Sequence, residues 1–245
     1  MEKPKDWFES WFDSPYYHSL YKHRDQAEAE DFLGRLVKQL GFDRSGKLLD
    51  IACGRGRHAL YLNRCGFDVS AFDISPASIT FDKQFENERL HFFLHDMRKP
   101  FKKDHFDYAL NLFSSFGYFE DDKESQASLQ AAADNLKPGG TFVFDYANMH
   151  WVIRHTLNPH TEVNDGIHFN VTKRLDDRFV VKSIEFEAEG KPFRFEERLR
   201  SFTPEELRRM ISATGLEIIH EFGDYALGPF SPENSQRWVI AAMKK

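Results

Sequence analysis

Apolar and polar residues along this chain change their spacing in a regular order. Ala29, Phe32, Leu33, Leu36, Val37 and Leu40 recur at helical spacing, with Asp25 as N-cap, Glu28 completing a capping box and Gly41 as the stop. Short apolar runs over 47–51, 67–73, 90–94, 106–112 and 141–146 then read as strands. Helices are predicted between them. One spans about 57–65 and ends at Gly66. A second starts at Ser75-Pro76, an N-cap followed by proline at the first helical position, and runs to about Asn87. A third spans about 122–136 and closes at Lys137-Pro138-Gly139-Gly140. Strands that alternate with helices imply an α/β protein with a parallel, doubly wound sheet.

After Tyr146 the period switches to strict alternation. Residues 167–175 and 178–188 pair around Asp176-Asp177, and a third strand, 193–201, follows Gly190. Thr203-Pro204-Glu205-Glu206 caps a helix ending at Gly215, and strands 216–222 and 237–243 complete the chain. The first 24 residues carry Trp7, Phe8, Trp11, Phe12, Tyr16, Tyr17 and Tyr21, too apolar for a disordered tail, and are expected to pack on the main body. This divides the chain into an aromatic arm (1–24), a main domain (25–149 and 203–245) and an antiparallel β insertion (150–202). The insertion is read as a substrate lid or a dimer surface.

Composition narrows the classes. A hydrophobic fraction of 41% supports a core and 29% charged residues a soluble surface. No apolar run is long enough for a membrane helix and no signal peptide opens the chain, so a cytoplasmic protein is expected. The two cysteines, Cys53 and Cys65, make no disulfide framework and read as reduced thiols. A net charge of −6 argues against broad nucleic-acid binding.

The candidate chemistry lies in Leu48-Leu49-Asp50-Ile51-Ala52-Cys53-Gly54-Arg55-Gly56-Arg57-His58, a strand that ends in a carboxylate, turns through glycines and opens a helix. Gly54 and Gly56 permit a tight turn and close approach of a ligand, and the helix start suits a carboxylate. The G-x-G-x-x-A spacing alone is a weak signal. Asp73, about 20 residues on, is placed to grip two ribose hydroxyls. Asp96 closes the third strand, where it can accept from an adenine amino group, and Asp50 is placed for a ligand ammonium. Three acids closing three successive strands on one sheet edge are hard to explain as surface carboxylates.

These residues, with His95-Asp96-Met97-Arg98, Phe106-Asp107-Tyr108 and Leu136-Lys137-Pro138-Gly139-Gly140, resemble the ordered motifs of class I S-adenosylmethionine-dependent methyltransferases. The resemblance covers roughly residues 25–150. It implies a Rossmann-like seven-stranded sheet whose last strand is antiparallel, with S-adenosyl-L-methionine as cofactor. Asp50 and Gly54 would border its methionine portion, Asp73 the ribose, and Asp96 with Met97 the adenine, and Tyr21, Ala52, Gly56, Ile74 and Asn111 complete the cofactor-binding set. Ala52 departs from the glycine many members carry. The N-terminal pattern Tyr16, Tyr17, Tyr21, Arg24 looks like the arm some small-molecule members fold over the cofactor, with Arg24 pairing with its carboxylate or else capping the first helix.

The acceptor is expected at the carboxyl edge of the strands, beside Asn111-Leu112-Phe113-Ser114-Ser115-Phe116-Gly117-Tyr118-Phe119. Tyr17, Phe116, Tyr118, Tyr146 and His150 are the candidate pocket residues, although Phe113, Phe116 and Phe119 also fit a core stripe. Methyl transfer needs alignment first and a base only if the acceptor arrives protonated. Tyr17, His150 and Tyr225 are the candidate bases, although residues of this kind are more often structural than catalytic. The basic residues of the insertion are interleaved with acids and read as a mixed-charge surface.

Several classes lose support. No Asp/Asn-Pro-Pro-Tyr/Phe run follows the fourth strand and no Pro-Cys pair exists. His91 and His95, about 13 Å apart on a strand, are too far apart to share a metal, and none is expected. The reading is methyl transfer to N or O of a small-molecule acceptor, with a possible homodimer. The alternatives are an RNA or protein methyltransferase, a non-catalytic S-adenosylmethionine-binding protein and an NAD-dependent oxidoreductase.

Overall fold

A computed structural model describes residues 7–22 and 26–245. Two short helices, α1 (Trp7–Phe12) and α2 (Pro15–Leu20), precede α3 (Gln26–Gln39). There follow β1 (Lys47–Ile51), α4 (Arg57–Arg64), β2 (Asp68–Asp73), α5 (Pro76–Asp82), β3 (Leu90–Leu94), β4 (Phe106–Asn111), α6 (Asp122–Asn135) and β5 (Leu136–Ala147). Then come α7 (Met149–His155), β6 (His160–Asn164), β7 (Ile167–Asp176), β8 (Phe179–Ala188), β9 (Lys191–Arg200), α8 (Pro204–Ser212), β10 (Leu216–Phe222) and β11 (Arg237–Lys244). The expected capping residue Asp25, like Arg24, lies outside the described residues.

Seven strands form one sheet in the order β10-β11-β5-β4-β1-β2-β3. β1 pairs in parallel with β2 on one side and β4 on the other, so the strand order reverses there. β11 alone runs against its neighbours β5 and β10. This is the doubly wound, Rossmann-like α/β sheet with an antiparallel last strand that the motifs imply. Alternate side chains divide the core between its faces: Leu48, Val69 and Ala71 pack with Phe32, Leu36 and Leu62 on one, and Leu49, Phe142 and Phe144 with Leu129, Leu207 and Ile211 on the other. Among the described residues, no helix is long and apolar enough to cross a membrane.

Three boundaries differ from expectation. The helix from Pro76 stops at Asp82 and tightens into a 3₁₀ turn over Lys83–Phe85, because Glu86 accepts from Phe92 N–H at 2.8 Å and the chain must enter β3. β5 begins at Leu136, which pairs with Phe106; the Pro-Gly-Gly stretch bulges before the register resumes at Thr141 opposite Tyr108. α7 and β6 fall inside the segment read as purely antiparallel strands. Neither has a clear period, since α7 has seven residues and β6 is a short edge strand with one buried position.

The second sheet, β6-β7-β8-β9, is antiparallel throughout. Its face with Phe169, Val171, Ile184 and Phe186 is covered by Trp11 and Leu20 of the arm. Arg200 fastens this sheet to the main body. Its guanidinium, 2% exposed, binds both oxygens of Asp122 at 2.9 and 3.1 Å. Its N–H donates to the Gly117 carbonyl at 2.7 Å, and its own carbonyl accepts from the buried Tyr146 hydroxyl. Removing one partner of a buried pair costs up to several kcal/mol, less here because Asp122 is half exposed. Arg200→Met should therefore lower the melting temperature by roughly 5 °C in differential scanning calorimetry; an unchanged value would show that the sheet is held by apolar packing alone.

Candidate active site

The link from β1 to α4 runs through three left-handed residues, Ala52 (φ 57°), Gly54 (φ 56°) and Gly56 (φ 63°). The two glycines do different work. A Cβ on Gly56 would lie 2.6 Å from the Phe92 ring and 3.2 Å from an Asp82 oxygen, so this end of the turn is pressed onto β3 and α5. A Cβ on Gly54 would meet nothing within 4 Å, which leaves this end open to a cavity. Ala52 adopts the same conformation with a methyl group, at a cost of roughly 1–2 kcal/mol.

Two adjoining cavities sit over the point where the strand order reverses, where open α/β sheets bind ligands. The first holds about 660 Å³ of empty space. Ala52, Gly54, Asp73, Ile74, Asp96 and Met97 line it from the sheet edge, and Phe8, Phe12 and Tyr17 from the arm. Ser115, Tyr118 and Phe119 complete it, with Phe72, Ser78 and His95. The second holds about 740 Å³ and shares Tyr17, Ala52, Gly54 and Ser115 with the first. It adds His18, Tyr21, Arg55, Arg57, His58 and Phe113.

Asp73 organises the sheet-edge wall. Gly54 N–H donates to one carboxylate oxygen at 2.8 Å and Ser75 N–H to the other at 2.9 Å. Burial pushes its pKa up against those N–H bonds. Burial also opposes ionisation of Asp96, but the Arg98 side chain and N–H outweigh it and hold this carboxyl below its ordinary range. Arg98 in turn reaches Glu124 at 2.7 Å and lies over Phe119. His18 is pushed down to about 4 by burial, with Arg55 adding to the effect and Asp13 opposing it, so it faces the second cavity uncharged at neutral pH.

The turn that follows β4 carries strain. Phe113 (φ 58°) and Ser114 (φ 61°) are consecutive left-handed residues without glycine. Asp145, fully buried, holds them by accepting from Phe113 N–H at 2.8 Å. Arg237 bridges the Asp145 carboxylate and the Ser114 hydroxyl, and the Tyr225 hydroxyl donates to Asp145 at 3.0 Å. The turn ends at Ser115, shared by both cavities.

Several predicted residues are therefore gathered at one place: Tyr17, Tyr21, Ala52, Gly54, Asp73, Ile74, Asp96, Met97 and Tyr118. Others lie elsewhere. Asp50 is buried beneath the turn, accepting from Ala59 N–H, and Gly56 packs on Phe92. Asn111 donates to the carbonyls of Ile51 and Ser115 and supports the wall from behind. The structure places Phe116 and Tyr146 in the core rather than on an acceptor pocket, Phe116 edge-on to Phe144 and Tyr146 bound to Arg200. His150 is exposed at the start of α7, away from both cavities, and Tyr225 is engaged with Asp145. Arg24 lies outside the described residues. Phe8, Phe12, Ser115, Arg57 and His58 line the site without having been singled out; Arg57 and His58 follow the glycine turn directly, and Phe8 and Phe12 share a helix face.

Comparison with known proteins adds a family. The profile of the methyltransferase domain family matches residues 21–221. A dTDP-3-amino-3,4,6-trideoxy-alpha-D-glucopyranose N,N-dimethyltransferase from Streptomyces venezuelae is 32% identical over 120 residues, 49% of each chain. The chain spans about half the length of the curated relatives it matches. An S-adenosylmethionine-dependent methyltransferase structure from Clostridium acetobutylicum superposes with a TM-score of 0.79 at 20% identity, over 94% of this chain and 96% of that one. The SAM-bound structure of an amino pentose methyltransferase from Micromonospora echinaspora gives 0.72 at 21% identity over the whole of both chains.

Asp82 makes the site's stability pH-dependent. It is fully buried, neither oxygen has a hydrogen-bond partner, and burial, with Asp73 adding and Arg55 opposing, pushes it up to about 7. A carboxyl raised in the folded state stabilises at low pH, and that contribution is lost as pH rises from about 4 through 7. Asp82→Asn should raise the melting temperature by on the order of 5 °C at pH 8 and change it little at pH 4. Equal melting curves at pH 8 would mean that Asp82 ionises there without penalty.

Proposed function

The chain belongs to the methyltransferase domain family, and from this premise we propose that it is an S-adenosylmethionine-dependent methyltransferase acting on N or O of a small-molecule acceptor. The observation that carries the reading is the open face of Gly54, where the two cavities meet and where a side chain of any size would intrude. A ligand fits there that needs a sugar-binding acid on one side and an anion-binding helix start on the other. Asp73 has lone pairs left, after its two N–H bonds, to accept from ribose hydroxyls. Asp96 and Met97 would take the adenine. Tyr21, Arg57 and the N–H groups at the start of α4 would take the amino-acid end in the second cavity. When bound, the cofactor supplies a methyl carbon on a positively charged sulfur, open to in-line displacement.

The chain's own residues bind, align and exclude water. Phe8, Phe12 and Tyr17 cover the first cavity, and Asp13 anchors them by accepting from the Ser75 hydroxyl at 2.8 Å and Ala77 N–H at 3.0 Å. Tyr17 and Ser115 bring side-chain hydroxyls to both cavities, and Tyr17 would act as base only in its phenolate form. The enclosed, aromatic site favours a small acceptor over a polymer, in keeping with the amino-sugar activity named for the Streptomyces relative. The net charge of −6 argues against nucleic acid, and the free thiols of Cys53 and Cys65 suit a reducing cytoplasm.

Calorimetry tests the cofactor and labelled methyl transfer to a panel of amino sugars and small amines tests the acceptor. We expect S-adenosylmethionine and S-adenosylhomocysteine to bind, NAD not to bind, and Asp73→Ala to weaken both ligands about 100-fold, the worth of two charge-assisted hydrogen bonds. A folded protein that binds neither sulfur ligand would overturn the reading.

A further inference from the structure

The covered face of the second sheet contains a charged row between two apolar ones. Lys173 of β7 stands directly opposite Lys182 of β8, and Lys182 stands opposite Glu197 of β9. On one side of this row lie Val171, Ile184 and Phe195, under the arm; on the other lie Val180 and Leu199, which pack into the main core. The row therefore faces the seam where arm, main body and second sheet meet. Like charges paired directly across strands are destabilising, the more so when they are desolvated. Lys182 is only 13% exposed.

The one carboxylate in the row is already heavily used. Glu197 accepts from the Tyr21 hydroxyl at 2.6 and 2.8 Å and from the Trp11 indole N–H at 2.7 Å. The Lys182 ammonium donates to the Tyr21 hydroxyl at 2.7 Å and lies 3.9 Å from Glu197. Lys173 is half-buried and makes no hydrogen bond or ion pair with any described residue; Glu162 and Glu197 act on it only at longer range. Among the described residues, two ammonium groups thus share one carboxylate at close range, Glu197, with Glu162 acting on Lys173 from farther off. Tyr21, the partner of Lys182, is itself a wall of the second cavity.

We infer that Lys173, with Lys182 beside it, is an anion subsite that holds a negatively charged group of the acceptor while the reacting atom reaches past Tyr21 and Tyr17 toward the methyl group. This rests on the methyltransferase reading and adds to it the acceptor's chemical class, an anionic small molecule. The anionic group is a carboxylate or a phosphate; one ammonium takes either, and two ammonium groups on neighbouring strands favour the larger, more highly charged group.

The test is calorimetry on the full chain loaded with S-adenosylhomocysteine, titrated with pyrophosphate and separately with acetate. Wild type, Lys173→Met and Lys191→Met are compared, the last removing an exposed lysine at the far β8–β9 turn. Saturable pyrophosphate binding that weakens about tenfold or more in Lys173→Met and is unchanged in Lys191→Met is the expected result. Acetate binding with the same mutational pattern, and equal to pyrophosphate, would assign the subsite to carboxylates. Absence of saturation by either anion, or equal binding in wild type and Lys173→Met, overturns the subsite. Binding of S-adenosylhomocysteine is measured first on the same samples: its loss in wild type defeats the methyltransferase reading itself, whereas its retention with no anion binding defeats only the subsite.

Discussion

The hydrogen bond from Gly54 N–H to Asp73 joins the ends of two adjacent strands at the point where the sheet reverses its order. It fixes the left-handed turn after β1 and leaves the Gly54 face open. It also aims the Asp73 carboxylate along the same wall. Everything else at the site is arranged around that tie. Phe92 and Asp82 press on the turn from below at Gly56, Asp50 receives the Ala59 N–H from the helix the turn opens, and the arm lies over the top. A ligand-binding surface made of backbone needs such a clamp, because left-handed turns hold their shape only when their surroundings over-determine them.

Two further polar centres carry the site's outer walls. Asp145 is buried in β5 and holds the strained Phe113–Ser114 turn through its N–H, Arg237 and Tyr225. Glu197 reaches from β9 to the arm through Trp11 and Tyr21. Both are carboxylates from strands that lie beyond the glycine turn in sequence, so the cavity walls depend on segments far apart in the chain. The second sheet is thereby part of the site: it carries the arm, and the arm covers the cavity. Arg200 and Tyr146 transmit that support to the main body.

The parallel sheet was legible because its strands are short apolar runs bounded by glycine, proline and capping residues. Thr203 and Glu206 form the reciprocal cap their spacing announces, and Ser75 caps α5 ahead of Pro76 as read. Asp73 and Asp96 were legible for the same reason, since residues at or just past a strand's end lie at the sheet edge, whereas Asp50, one residue short of the end of β1, turns inward under the glycine turn. What failed to show was anything decided by tertiary partners. Phe116 and Tyr146 have the composition of pocket residues, yet neighbouring aromatics and the Arg200 carbonyl draw them into the core. Tyr225 reads as a free phenol until Asp145 is placed beside it. Glu197 and Lys173 sit in an alternating charged strand like many solvated ones, and only the arm lying across that face distinguishes them. α7 and β6 were lost to their shortness.

The most direct measurement is a crystal structure of the full chain with S-adenosylhomocysteine. We expect the adenosine in the first cavity, its ribose hydroxyls on Asp73 and its base beside Asp96 and Met97, with the amino-acid end passing over Gly54 into the second cavity beside Arg57. Density for the ligand anywhere else, or a ribose that leaves Asp73 without contact, would contradict it.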